Sequence, residues 1–395
     1  MNRREILEKS HRIVIKLGTA VLMSDGSGIA LSRFYSFIEA IGALKASGKE
    51  VLIVTSGAIG LGVQKLKLGG RPKLLPQKQA CAAVGQGILM ALYADAFEKL
   101  NITAAQILLT EADFNNRQRY LNLRSTITEL LSLGAIPIIN ENDTVSTAEI
   151  ETKKSPHLKV NFGDNDKLSA LVAGKIEADL LIILTDVEGL YTDDPRTQPT
   201  AQLIPLVEAI TPEIEALANP DVVVKSKLGR GGMATKLEAA KIATHSGCAT
   251  IVASGKTANA IDRIFNGEDL GTMFLPHGTM TGKHRWIAFA TTVKAQLVVN
   301  AGARKALQQG KASLLPAGVV NVSGEFERGD VVSIVDESKF EFARGIVNYA
   351  SNEAEKLCGL NSAAIDEIVE ERNYDALVTR NNLVLFEQPS AKANS

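Results

Sequence analysis

From Arg12 to about residue 275, short continuous apolar runs alternate with longer stretches in which apolar residues recur every three or four positions. "RIVIKL", "EVLIVTSG", "ITAAQILLT", "AIPIINEND", "ADLLIILTD" and "ATIVASG" read as strands. Leu31–Ser47, Gln77–Leu100, the region near Leu121–Leu133, "KLSALVAGKI" and "MATKLEAAKIATHSG" read as helices. Strands without polar alternation, each followed by a helix, predict a parallel sheet covered on both faces. Ligands of such sheets bind beyond the carboxyl ends of the strands. The polar clusters "KLGTA", "TSGAIG", "NENDTV" and "LTDVEGLYTDDPR" each follow a strand, which predicts one shared site along that edge.

The pattern changes after "FLPHGTMTGKHR". Short β-rich pieces separated by glycines follow: "WIAFA", "AQLVVN", "GVVNVSGEF", "DVVSIVD", "EFARGIVNYAS" and "ALVTRNNLVLF". The predicted organisation is an α/β catalytic domain over 1–276, a linker over 277–282, a small β-barrel-like domain over 283–380, and a polar tail over 381–395, partly disordered.

Composition narrows this modestly. The 395 residues are 45% hydrophobic and carry 43 basic against 44 acidic side chains, so no whole-chain charge points to nucleic acid or an anionic membrane. The N-terminal "MNRREILEKSHR" lacks an apolar signal core, and no apolar run approaches the roughly 20 residues of a membrane span. The three cysteines are far apart in apolar contexts and read as free buried thiols; the histidines show no ligand spacing, so no zinc site is expected. A cytoplasmic protein is the reading these features support.

The candidate chemistry lies in the strand-end clusters. Lys16 ends the first strand beside Gly18 and Thr19 and can either meet a phosphate or simply snorkel from the strand end. Ser56 and Gly57 allow close approach of an anion, and equally suit an ordinary tight turn. Asn140, Glu141, Asn142 and Asp143 follow one strand, and Asp164, Asn165 and Asp166 open a helix. A helix cap needs one such residue, so the surplus points to a ligand ammonium group, to lysines held in place, or to Mg²⁺. Thr185 and Asp186 leave the strand "LLIIL" for a long polar excursion that suits a nucleotide or a plain surface loop. "GRGGMATK" sets Gly229, Gly231 and Gly232 ahead of a helix with Lys236 one turn in, although the Thr-Lys order is the reverse of a P-loop's Lys-Ser/Thr. Lys16 and Lys236 together supply the two cations that phosphoryl transfer to a carboxylate requires.

These stretches, with "KQACAAVGQG", "KHRWIAFA" and "SLLPAGV", resemble the glutamate 5-kinases of the amino-acid kinase family, which carry a C-terminal PUA domain. The resemblance covers almost the whole chain. It implies a three-layer αβα sandwich with a mostly parallel sheet, and a small PUA β-barrel behind it. It further implies transfer of the ATP γ-phosphoryl group to the γ-carboxylate of L-glutamate, the first step of proline biosynthesis, with Mg²⁺, inhibition by proline, a homo-oligomer and a hand-off of product to glutamyl-phosphate reductase. By position, Lys16 and Lys236 would stabilise the moving group and Asp166 would orient them. Ser56, Gly57, Asn140, Asp143, Asp164 and Asn165 would receive glutamate. Lys16, Thr185, Asp186 and the run Arg230, Gly231, Gly232, Met233, Ala234, Thr235 and Lys236 would surround ATP.

Three departures from the family pattern stand out: Ala20 in place of serine, Arg230 in place of threonine, and the longer connection Glu151–Asn161, which either modifies a lid or feedback control or is a surface extension. Two other readings compete: a related kinase acting on aspartate or N-acetylglutamate, and a non-catalytic RNA-binding regulator. The PUA segment is slightly acidic without a Lys/Arg run, so RNA binding is not expected.

Overall fold

The computed structural model describes residues 2–24, 28–70, 72–110, 113–114, 117–145, 165–218, 232–276, 284, 287–288, 293, 295–309, 312–361 and 375–386. The chain divides into two compact units, Met1–Thr279 and Met280–Ser395.

The first unit is built on strands β1 (Arg12–Leu17), β2 (Glu50–Thr55), β3 (Ala104–Leu109), β4 (Ile136–Glu141), β5 (Leu180–Thr185), β6 (Leu206–Val207), β7 (Ala249–Ser254) and β8 (Thr272–Phe274). Among the described residues they form one sheet in the order β3-β4-β2-β1-β5-β7-β8-β6. The strands from β3 through β7 are parallel, while β8 runs antiparallel to β7 and parallel to β6. Ile13, Val14, Ile15 and Leu17 of β1 are all fully buried, because helices cover both faces of the sheet and a polar residue on either face would be desolvated. The carboxyl ends of β1, β2, β4 and β5 therefore lie along one edge, and each expected polar cluster leaves from it. The central strand β1 pairs with β2 on one side and β5 on the other, with Leu17 level with both Thr55 and Leu184.

Helix Leu75–Glu98 starts with Pro76 in its first turn, where the missing N–H costs nothing. It buries Cys81, Ala82, Gly85, Gln86, Leu89, Tyr93, Ala96 and Phe97, a spacing of three and four that marks one inward face. By length and composition this helix could cross a bilayer, contrary to the expectation that no apolar run approaches that length. Its inward face packs in the core of the first unit, where Tyr93 stacks on Phe97 and meets Phe34 edge-on. That is the pattern of a core helix.

Two glycines let this helix lie against helix Ala58–Lys65. A Cβ on Gly85 would sit 1.7 Å from the carbonyl oxygen of Ala58, and one on Gly62 would sit 1.9 Å from that of Cys81. Neither position can accept a side chain unless the two backbones separate. We expect Gly85→Ala to destabilise the first unit by roughly 3 kcal/mol, the upper range for overpacking. Chemical denaturation would measure it; an unchanged midpoint would show that the contact relaxes freely.

The second unit holds β9 (Gln296–Val299), β10 (Val319–Ser323), β11 (Val331–Val335), β12 (Glu341–Ile346) and β13 (Leu383–Leu385). They form a sheet in the order β10-β9-β11-β12-β13, parallel between β9 and β11 and antiparallel elsewhere. Its core gathers Leu297, Val299, Val332, Ile334, Phe342 and Tyr349. Strand β13 pairs with β12, so the sheet runs past residue 380, where the sequence reading ended the domain. "WIAFA" is helical at Ile287 and Ala288 rather than strand. A buried run this short carries no periodicity that separates the two. The three cysteines are free, Cys81 and Cys248 buried and Cys358 half-buried with its thiol pushed up by burial.

Candidate active site

Helices Asn165–Lys175 and Met233–His245 pack on one another, and both begin at the carboxyl edge of the sheet. The first is buried over nearly all its length, from Leu168 to Lys175, because the sheet lies on one side and its partner helix on another. Their opening turns therefore bring Asp166 and Lys236 to the end of β1, where Lys16 emerges.

The three side chains meet. Lys16 Nζ lies 2.5 Å from one carboxylate oxygen of Asp166, and Lys236 Nζ lies 3.1 Å from the other. Thr235 Oγ1 lies 3.4 Å from the second oxygen and donates more closely to the Gly232 carbonyl, at 2.9 Å. Asp166 is 1% exposed, Lys16 6% and Lys236 3%. Burial alone would raise the Asp166 pKa, but the two ammonium groups more than offset it and hold the carboxyl at about 2. Among the described residues, these three groups, one carboxylate and two ammoniums, sum to one positive charge in a desolvated setting next to the positive ends of two helices. An anionic group that brings its own oxygens is the complementary ligand.

Space here is limited. A Cβ on Gly18 would lie 3.3 Å from Lys16 Nζ and 3.3 Å from the Leu184 carbonyl, to which Gly18 donates its own N–H at 3.2 Å. The glycine lets the backbone pass close to the ammonium group.

One residue earlier, Asn165 ties a second cluster to the first. Its Nδ2 lies 2.6 Å from the Thr55 carbonyl, 2.8 Å from Ser56 Oγ and 3.0 Å from Asn140 Oδ1. Asn140 also accepts from the Glu141 N–H at 2.9 Å and donates its own Nδ2 to Gln86 Oε1 at 2.8 Å. Gly57 takes a left-handed conformation (φ 104°) that turns β2 directly into helix Ala58–Lys65. Asp143 is half-buried in the turn that follows β4.

Thr185 ends β5 and donates to Asp186 at 3.1 Å, while its carbonyl accepts from the Gly255 N–H at 2.8 Å. Gly232 caps helix Met233–His245, with Met233, Ala234 and Thr235 half-buried in its first turn. Asp164, Arg230, Gly231 and the extension Glu151–Asn161 lie outside the described residues. The structure thus joins Lys16, Asp166 and Lys236 in one cluster, and Ser56, Asn140 and Asn165 in an adjoining one. Thr185, Asp186 and the turn 232–235 border the same edge from other elements. Gln86 was missed; its sequence signals are a polar residue between two glycines and its place in the stretch "KQACAAVGQG". Tyr93, whose hydroxyl lies 2.9 Å from Thr55 Oγ1, was also missed; burial pushes its phenol pKa well above the ordinary value.

The model of the amino acid kinase family matches residues 11–254, and that of the PUA domain matches residues 295–369. The chain is 45% identical to a glutamate 5-kinase of Geobacter sp. (strain M21), over 97% of this chain and all of that protein. It is 46% identical to a glutamate 5-kinase of Citrifermentans bemidjiense and 45% identical to one of Cupriavidus taiwanensis, again over 97% of this chain and the full length of each.

Proposed function

Since the chain belongs to the amino acid kinase family and, over 97% of its length, to the glutamate 5-kinase branch, we propose that it transfers the γ-phosphoryl group of ATP to the γ-carboxylate of L-glutamate. It is an ATP-dependent phosphotransferase with a carboxyl group as acceptor. The observation that carries the substrate reading is the adjacency of Asn165 and Asp166: one orders the amides of β2 and β4, the next the two lysines.

In this reading the amino acid lies against Ser56, Gly57, Asn140, Asp143, Asp164 and Asn165. ATP occupies the edge made by Thr185, Asp186 and residues Arg230 to Lys236, with Lys16 reaching its phosphates. The γ-carboxylate is already ionised near pH 7 and needs no general base. What remains for the protein is to bring two anions together and stabilise the charge on the group passing between them. Lys16 and Lys236 do this in a desolvated setting, and Asp166 fixes both ammonium groups before substrate arrives. Magnesium accompanies the nucleotide. The ion would supply charge neutralisation on the phosphates, and it would be bound with them, as suits a cation that dehydrates reluctantly.

The product is a labile acyl phosphate, which favours direct delivery to a reductase. Proline is the proposed feedback inhibitor, the cytoplasm the proposed compartment, a homo-oligomer the proposed assembly, and proline synthesis the proposed pathway. The extents we propose are a catalytic domain over 1–276 and a PUA domain starting near 283.

Hydroxylamine traps acyl phosphates as coloured hydroxamates, so ATP, Mg²⁺ and each candidate acceptor can be compared directly. We expect hydroxamate from L-glutamate, little from L-aspartate or N-acetyl-L-glutamate, and a fall in signal when proline is added. Signal from another acceptor in preference to glutamate would replace the substrate. Signal that proline leaves unchanged would remove the feedback part alone.

A further inference from the structure

We propose that Gln86 is a positioning residue for the amino-acid substrate, acting through Asn140 on Asn165; this rests on the reading of that cluster as the glutamate site. Gln86 is 9% exposed and belongs to the helix that Gly85 brings against Ala58, two residues beyond Ser56. Its Oε1 accepts from Asn140 Nδ2 at 2.8 Å, and Asn140 Oδ1 in turn lies 3.0 Å from Asn165 Nδ2.

The direction of this amide chain is set by the backbone. The Glu141 N–H can only donate, so the atom of Asn140 facing it, and therefore facing Asn165, is the oxygen. The Thr55 carbonyl can only accept, so the end of Asn165 facing it is the NH₂. With the NH₂ of Asn165 committed to Thr55, Ser56 and Asn140, a ligand meets its Oδ1, an acceptor suited to an ammonium group.

Gln86 supplies the remaining link, the acceptor for the buried Asn140 NH₂. Removing that acceptor leaves a desolvated donor unpaired, and Asn140 gains by moving away from the position that holds Asn165. The consequence falls on the amino acid. The nucleotide is met by residues of other elements, Thr185, Asp186 and the turn before Lys236.

The test compares wild type, Gln86→Met and Gln86→Glu in the full chain, measuring KM for L-glutamate and for ATP, and kcat. Met nearly matches the shape without an acceptor, whereas Glu keeps an oxygen toward Asn140 whether or not it is protonated. We expect Gln86→Met to raise the glutamate KM roughly 10- to 100-fold, the consequence of one unpaired buried donor, with the ATP KM within about threefold of wild type. Gln86→Glu is expected to recover most of that loss. An unchanged glutamate KM in Gln86→Met, an equal rise in both KM values, or no recovery with Glu would overturn the proposal. If Met prevents folding, Gln86→Leu takes its place; if neither apolar variant folds while Glu does, the role is structural and the proposal falls. A wild-type chain that makes no hydroxamate from glutamate would instead remove the reading beneath it, and that outcome appears in the wild-type arm alone.

Discussion

Replacing Lys236 by alanine is expected to lower turnover by roughly 10²–10³-fold, the scale of losing one preorganised donor to a transition state. The folded chain is expected to survive, because Asp166 keeps Lys16 at 2.5 Å as its partner and the buried pair stays neutral. What the variant loses is the net positive charge of the cluster, at the moment when two anionic reactants share one crevice. The KM for glutamate should move little, since Ser56, Asn140 and Asn165 hold one another without Lys236. Steady-state kinetics with glutamate and ATP varied separately would measure this, with circular dichroism confirming the fold. Turnover within tenfold of wild type would mean that Lys236 only neutralises Asp166, and the phosphoryl role would then have to rest on Lys16.

The scaffold was legible because β-branched apolar runs such as "RIVIKL" and "LLIIL" alternate with longer helical stretches, the pattern of strands buried on both faces, and polar residues after each mark the edge where the sheet opens. The same reasoning places Lys16, Ser56, Asn140 and Thr185 at one edge. Pattern alone does not separate Asn165 from Asp166, adjacent and chemically similar; only the family resemblance gives them different roles, because which cluster each faces depends on where helix Asn165–Lys175 turns between the sheet and helix Met233–His245. Gln86 was hidden for a related reason. It lies 54 positions before Asn140, and only the glycine contact between two helices brings it near. The strand-like reading of "WIAFA" failed where hydrophobicity alone decided, without a period to test it. The antiparallel β8 follows from how the chain returns after helix Ala260–Phe265, which no local pattern encodes.

Asp166→Asn is expected to have the second large effect, and it acts on stability as well as on rate. The substitution keeps the shape but leaves two buried ammonium groups beside a neutral amide. Breaking a buried ion pair from one side typically costs about 3–5 kcal/mol, because the charges left behind remain desolvated. Turnover is expected to fall roughly 10³-fold or more, since both lysines lose the group that aims them and repel each other away from the phosphoryl position. The wild-type pairing also predicts a pH dependence. The folded pKa of Asp166, about 2, lies below its ordinary 3.8, so this pairing contributes stability that is complete above about pH 4 and is lost as pH falls through about 2. Asp166→Asn should lack that component, so its unfolding free energy should change less than wild type's over the same interval. A second substitution separates charge from shape: Asp166→Asn combined with Lys236→Met removes one of the two buried ammonium charges, and should regain stability over Asp166→Asn alone while remaining inactive. If the double variant is no more stable than the single one, the buried charges are not what Asp166 compensates. The carboxylate would then be holding the two helices together through its hydrogen bonds, and the electrostatic account of the site would fail with it.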